Sequence, residues 1–186
     1  MEETALDTLR IHFERRKLST VTKSIPTDLK DANVYTVGDV LVICSQKDKM
    51  LERDVKTYLD YAAENKFNHG IVVISMSRLS ENLLDIIRAQ HAGRVTFFHI
   101  RELQMDITQH RMSVPHRILP PDEAKAVLDK NKVVRPHDQL PWIDSQDIQA
   151  RILGAVPGDI IEITRHSDTV GKCMYYRYCV ADVNVV

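Results

Sequence analysis

The run SQDIQARILGAVPGDIIEITRHSDTVGKCMYYRYCV, Ser145 to Val180, packs a full set of local signals end to end. Ser145 or Asp144 is placed to cap a helix whose Ile148, Ile152 and Leu153 share one face. Gly154 supplies a left-handed stop, and Pro157-Gly158 sets a turn into a strand, Asp159 to Thr164. A charged loop, Arg165 to Lys172, leads to a tyrosine-rich strand, Cys173 to Val180. Helix, turn and hairpin predict a small α+β unit.

Working outward, Pro120-Pro121-Asp122-Glu123 opens a short helix, with proline and acids where a first turn prefers them. Residues 131 to 143, NKVVRPHDQLPWI, hold two prolines and the only tryptophan and read as ordered loop. Apolar periodicity lapses between Leu103 and Arg117, and Val114-Pro115 favours extended chain, so a domain boundary is expected there. The division is 1–109 and 110–186.

The first of these regions has a different rhythm. Residues 4 to 17 fit a helix with Leu6, Leu9 and Phe13 on one side and Arg15, Arg16 and Lys17 at its end, where cations suit the dipole. Residues 19 to 33 read as loop. Val40 to Cys44 and Ile71 to Ile74 are nearly all-apolar runs of the kind buried on both faces of a sheet. Between them Leu51, Val55, Tyr58, Leu59 and Ala62 form a helical stripe, which Asn68-His69-Gly70 closes. Ser80 is placed to cap a further helix with Leu83, Leu84 and Ile87 inward; Ala92-Gly93 ends it before a third strand, Val95 to Ile100. Alternating strands and helices imply right-handed crossovers over a small parallel or mixed sheet.

Bulk properties bound the function. The chain has 186 residues, 44% hydrophobic and 27% charged, ordinary values for a globular protein. No apolar run approaches the roughly 20 residues of a membrane span, and the acidic, amphipathic start is neither a signal nor a transit peptide. Net charge is −1, with 15 basic and 16 acidic residues before His110 and ten of each from there on. Neither half carries the positive field of an autonomous nucleic-acid binder. Three cysteines, Cys44, Cys173 and Cys179, fit a reducing compartment. In a regular strand Cys173 and Cys179 lie roughly 20 Å apart, too far to bridge.

No constellation for catalysis emerges. Ser45-Gln46-Lys47 and Ser75-Met76-Ser77 lack the glycines of a phosphate loop, and no Gly-x-Ser-x-Gly elbow occurs. Asp39 and Lys47 supply only half of a metal-dependent nuclease site, since no second carboxylate follows. The eight histidines have no partners at zinc-binding spacing. Cys44 lies in an apolar strand that would raise its thiol pKa. A metal-dependent nuclease and a free-standing interaction adaptor are the alternatives to the reading that follows.

Residue identities decide more. Val114-Pro115-His116, Glu123-Ala124-Lys125, Gln139-Leu140-Pro141-x-Ile143 and Asp147 run into Ala150-Arg151-x-Leu153-Gly154 and Gly158. Ile163-x-Arg165-x-Ser167-x-Thr169-x-Gly171 and Tyr176-Arg177-Tyr178 complete the series. This ordered set resembles the shared fifth subunit of eukaryotic nuclear RNA polymerases, whose C-terminal part is similar to its short archaeal polymerase counterpart. The resemblance implies an α/β N-terminal three-layer jaw domain plus a small α+β C-terminal assembly domain. It also implies a non-catalytic, cofactor-free and metal-free subunit of a nuclear polymerase, or of a viral transcription compartment. Its partners would be the largest subunit and other subunits of the enzyme, with downstream double-stranded DNA beside the jaw; no membrane or small-molecule substrate is implied. Carried over by position, Arg151, Arg165, Ser167, Thr169, Gly171 and Arg177 are the assembly candidates, and Ser77, Arg78 and Ser80 the DNA-proximal ones. Val156-Pro157, Glu162 and Lys172 depart from the family's usual residues and imply a divergent lineage.

Overall fold

In the computed structural model the described residues are 1–183 apart from 28, 66, 68–70, 92–94, 168 and 170. The expected helix stops Asn68-His69-Gly70 and Ala92-Gly93 lie outside the described residues. The chain divides into two compact units, Met1–Asp106 and Ile107–Val186.

The first unit opens with α1, Glu2–Arg15, which buries Ala5, Leu6, Leu9 and Phe13 and places Glu2 and Glu3 in its first turn. It begins and ends two residues earlier than periodicity suggests; just beyond its end Lys17 takes φ 59°. Five strands follow: β1 Thr22–Ile25, β2 Ala32–Val37, β3 Val40–Ser45, β4 Ile71–Ser75 and β5 Val95–His99. The helices α2, Glu52–Glu64, and α3, Glu81–His91, form the crossovers into β4 and β5. The sheet is mixed, ordered β1-β2-β3-β4-β5, antiparallel from β1 to β3 and parallel from β3 to β5.

The expectation of a loop over 19–33 is overturned, since β1 occupies its middle and β2 begins within it. Thr22-Lys23-Ser24-Ile25 is an edge strand half exposed on both faces, so it carries no alternation to read. The buried strands were legible because burial on both faces demands a continuous apolar run, and β3 and β4 are buried throughout. One core unites Val34, Leu41, Ile43, Ile71, Val73, Val95 and Phe97 of the sheet with Val55, Tyr58 and Ala62 of α2 and Leu83 and Ile87 of α3. The turn between β2 and β3 depends on Gly38. Its φ is +60°, and a Cβ built there would stand 2.4 Å from the Ser19 carbonyl oxygen.

The second unit comprises β6 His116–Ile118, α4 Pro121–Lys130, α5 Pro136–Gln139, β7 Trp142–Asp144, α6 Ile148–Leu153, β8 Ile160–Ser167 and β9 Gly171–Val180. Its sheet is ordered β6-β8-β9-β7, with β7 parallel to β9 and the other pairs antiparallel. The stretch 131–143 is therefore not all loop. Gln139 ties the α5 turn by accepting from the Val134 and Arg135 amides, each at 2.8 Å. Pro141 and Trp142 then lead into β7.

The cap of α6 is Asp147, whose carboxylate accepts from Gln149 N at 2.8 Å, rather than Ser145 or Asp144. Those two are consumed by the exit from β7: Asp144 accepts from Gln146 N, and Ser145 Oγ donates to the Ala181 carbonyl. Gly154 ends α6 in the left-handed region, φ 71°. The β-turn at Pro157-Gly158 is closed by Asp159 N donating to the Val156 carbonyl, 3.1 Å. The β8–β9 ladder runs further than hydrophobicity indicates, taking in Arg165 to Ser167 and Gly171 to Lys172 of the expected charged loop. Backbone pairing continues there although the side chains are polar.

Candidate assembly surface

The β8–β9 hairpin organises the surface. Pairing alternates its side chains between two faces. On one face lie Ile161 opposite Arg177, Ile163 opposite Tyr175, Arg165 opposite Cys173 and Ser167 opposite Gly171. The root of this face is core: Ile161, Ile163 and Cys179 pack with Ile143, Ala150 and Ala155. The tip is exposed. There the Arg165 guanidinium stands 5.1 Å from the Tyr175 ring centroid, a cation–π contact that holds the arginine extended over the strand. Ser167 and Thr169 hydroxyls lie 3.1 Å apart, and Gly171 turns the chain at φ +77° with open space where a Cβ would sit.

Arg177 behaves differently. Half-buried at the root, it donates from Nη1 to the Trp142 carbonyl at 2.8 Å and so braces β7 against β9. Arg151 is half-buried on α6. Hence Arg165, Ser167, Thr169 and Gly171 gather at the hairpin tip, while Arg177 and Arg151 belong to its root and flank.

The opposite face explains one sequence departure. Glu162 is buried on β8, yet Arg117 of β6 meets it at 2.6 Å and reaches Glu123 of α4 at 2.8 Å. The two carboxylates raise the arginine's pKa, and burial together with Glu162 raises that of Tyr176. A buried carboxylate is tolerated when paired in this way. Beside this network His137 rests against Trp142 and Tyr178, ring centroids 5.0 and 5.7 Å away, and the indole N–H donates to the His137 carbonyl at 2.5 Å. This aromatic cluster was not read from sequence. Its signal was the pairing of a histidine and a tryptophan five residues apart around Pro141.

In the first unit, Ser77, Arg78 and Ser80 lie between β4 and α3. Arg78 and Ser80 are exposed, and the Ser80 carbonyl accepts from Leu83 N and Leu84 N at the start of α3. The Ser77 backbone instead folds onto buried Ser75, whose hydroxyl donates to the Ser77 carbonyl at 2.8 Å. The Ser77 hydroxyl is itself buried and has no hydrogen bond among the described residues. It is not presented to solvent.

The nuclease alternative does not assemble. Asp39 precedes β3 and Lys47 follows it, so a six-residue strand at about 3.3 Å per residue holds them about 20 Å apart. Lys47 Nζ is engaged by Asp54 at 2.6 Å. Among the described residues no group of three His, Cys, Asp or Glu could hold a metal. The Cys44 and Cys179 thiols are pushed up to about 12, chiefly by burial, and are unreactive as nucleophiles.

The chain is similar to known proteins over this region. The family model described as RNA polymerase Rpb5, C-terminal domain, matches residues 105–179. DNA-directed RNA polymerase subunit Rpo5 of Pyrococcus horikoshii is 46% identical over 79 residues, 42% of this chain and 94% of that protein. Its counterpart in Sulfurisphaera tokodaii is 40% identical over 80 residues, 43% of this chain and 93% of its own length. DNA-directed RNA polymerases I, II, and III subunit rpabc1 of Dictyostelium discoideum is 28% identical over 128 residues, 68% of this chain and 64% of that one.

Proposed function

Since the chain belongs to the Rpb5/Rpo5 family and is a non-catalytic subunit of a multisubunit DNA-directed RNA polymerase, we propose that it docks on the largest subunit through the second unit. In the same reading the first unit flanks downstream double-stranded DNA as a jaw, in the nucleus or in a viral transcription compartment. The observation that carries the docking assignment is where the family match falls: residues 105–179 take in nearly all of the described second unit and only two residues of the first. The two archaeal relatives align over 79 and 80 residues, about the length of this unit.

Within that surface the hairpin tip is the contact. Arg165 is exposed, pre-extended over Tyr175 and without a carboxylate partner among the described residues, so its fork is ready for a carboxylate or carbonyl across an interface. Arg177 serves the sheet rather than the partner. Arg78 is the residue best exposed to meet a DNA phosphate, with Ser80 beside it. The three-layer reading of the first unit is supported by Glu2 of α1 accepting from Asn33 at 3.0 Å. Asn33 alternates along β2 with Val34, which faces α2 and α3.

Affinity purification of the tagged chain with mass spectrometry of the recovered complex tests this reading. The large polymerase subunits should be recovered. Arg165→Ala should weaken their retention by about tenfold with an unchanged melting temperature; Arg177→Ala should lower the melting temperature. Recovery of the free chain alone would overturn the proposal.

A further inference from the structure

The edges of the second sheet are unequal. In an antiparallel ladder, backbone groups alternate between facing the partner strand and facing away. Cys179 N donates to the Asp159 carbonyl on the β8 side, while Tyr178 N donates outward to the Pro141 carbonyl and Val180 O accepts outward from Ser145 N. The β8–β9 register is continuous from Ile160–Tyr178 to Ser167–Gly171, so parity is preserved along the whole strand. The N–H and C=O groups of Tyr176, Met174 and Lys172 therefore point away from β8. None has a backbone partner among the described residues, because β7 reaches only Tyr178. On the other side, β6 and the Pro115 carbonyl cover β8 as far as Thr164.

The open edge is thus three outward residues long and collinear with β7, on a strand whose inner edge is fully paired. Around it Met174 is 48% and Tyr175 49% exposed, on opposite faces. A strand laid along the edge would cover apolar surface on both. Arg165 and Lys172 are exposed at this end, and the described ladder residues from Thr164 to Ser167 and from Gly171 to Arg177 include no acid. None of the usual edge protections is present beyond Lys172 itself: no proline, no bulge, no covering helix among the described elements.

We propose that this edge of β9, Lys172 to Tyr176, receives an extended acidic segment of another polymerase subunit as an added β-strand. The strand continues the line of β7, its backbone pairs with Lys172, Met174 and Tyr176, and its carboxylates meet Arg165 and Lys172. This rests on the docking reading above and names the form the partner takes.

The test uses the full chain carrying Met174→Pro. Proline removes an outward N–H that no intramolecular bond uses, so the β8–β9 ladder is kept, while an added strand loses a hydrogen bond and meets the ring. Retention of the polymerase subunits should fall by about tenfold with the circular dichroism spectrum unchanged, since a lost hydrogen bond and a steric clash together are worth about that factor. Hydrogen exchange on the wild-type chain gives a second readout that needs no substitution. The amides of Lys172, Met174 and Tyr176 should exchange freely in the isolated chain and at least about tenfold more slowly in the complex. Undiminished retention by a folded M174P, or unchanged exchange at those amides in a complex that does form, overturns strand addition while leaving docking intact. If the wild-type chain recovers no polymerase subunit, the docking reading fails and strand addition fails with it.

Discussion

Ile161→Ala should disable the second unit. Ile161 is wholly buried near the start of β8 and packs, among the described residues, in a cluster of six buried ones, Ile143, Ala150, Ala155, Ile161, Ile163 and Cys179. Two of those are alanines, so neighbouring side chains have little reach to refill the space. The lost transfer energy plus the unrelaxed cavity places the cost at about 3–4 kcal/mol. A unit of this size has a total stability of about 4–12 kcal/mol, so the loss is a large share. At about 4–8 °C per kcal/mol for such a domain, melting should fall by more than about 12 °C. The milder Ile161→Val removes one methylene and should cost about 1 kcal/mol, a drop of about 4–8 °C. Thermal unfolding followed by peptide-resolved hydrogen exchange reads both changes, with the accelerated peptides confined to residues beyond Ile107. Polymerase retention should follow the same ranking at 37 °C. A shift below about 5 °C for I161A, or equal shifts for the two variants, would refute the small-core reasoning.

Three further outcomes follow from the first unit. Gly38→Ala should cost about 2–4 kcal/mol, combining the left-handed backbone penalty with displacement of the Ser19 backbone, and a urea melt checks it. Acid should weaken this unit early through His12. Burial depresses the His12 pKa, Asp106 raises it less and Arg15 lowers it further, so the folded ring stays neutral after the unfolded ring protonates. The stability that this neutral ring contributes is complete above about pH 6.5 and is lost as pH falls through the depressed value, at up to about 1.4 kcal/mol per pH unit. Melting temperature against pH from 7.5 to 5 should show that slope, and a flat profile would contradict it. Asp54 acts lower on the scale. Burial pushes its pKa up, but hydrogen bonds from Lys47 and from the Leu51 amide outweigh it, leaving the carboxyl below its ordinary value. Its contribution is present above the ordinary carboxylate range and lost as pH falls through the lowered value, and Asp54→Asn should abolish that acid-dependent part of the urea midpoint.

Legibility tracked burial. Val40 to Cys44 and Ile71 to Ile74 announced themselves because strands buried on both faces favour continuous apolar runs, and each strand goes one residue further, to a buried serine. Gly154 and Gly158 were readable because their backbones take positive φ, which few other residues tolerate. Elements that meet water on both sides left no such trace. Thr22 to Ile25 is half exposed and shows no apolar alternation, and the polar ends of β8 and β9 pass for loop until their ladder is seen. Long-range side-chain partners were equally silent. Nothing in the order of residues links Arg117 to Glu162, or separates Arg177, bound to the Trp142 carbonyl, from Arg165, which is turned to solvent. In sequence nothing marks one as the exposed tip and the other as the braced root, since both are arginines of one hairpin.

The strand order β6-β8-β9-β7 also governs the order of events in synthesis and folding. Every pairing in the first unit closes by His99, whereas Ile118 must wait for Ile161 and Trp142 for Tyr178. β9 lies inside the second sheet, between β8 and β7. A nascent chain therefore carries β6 and β7 unpaired until β8 and β9 emerge, and the β8–β9 hairpin can form locally to recruit them. Closure of non-local pairs is slow. The second unit should be the late-folding part of the molecule, so the proposed docking surface exists only once β9 has been made.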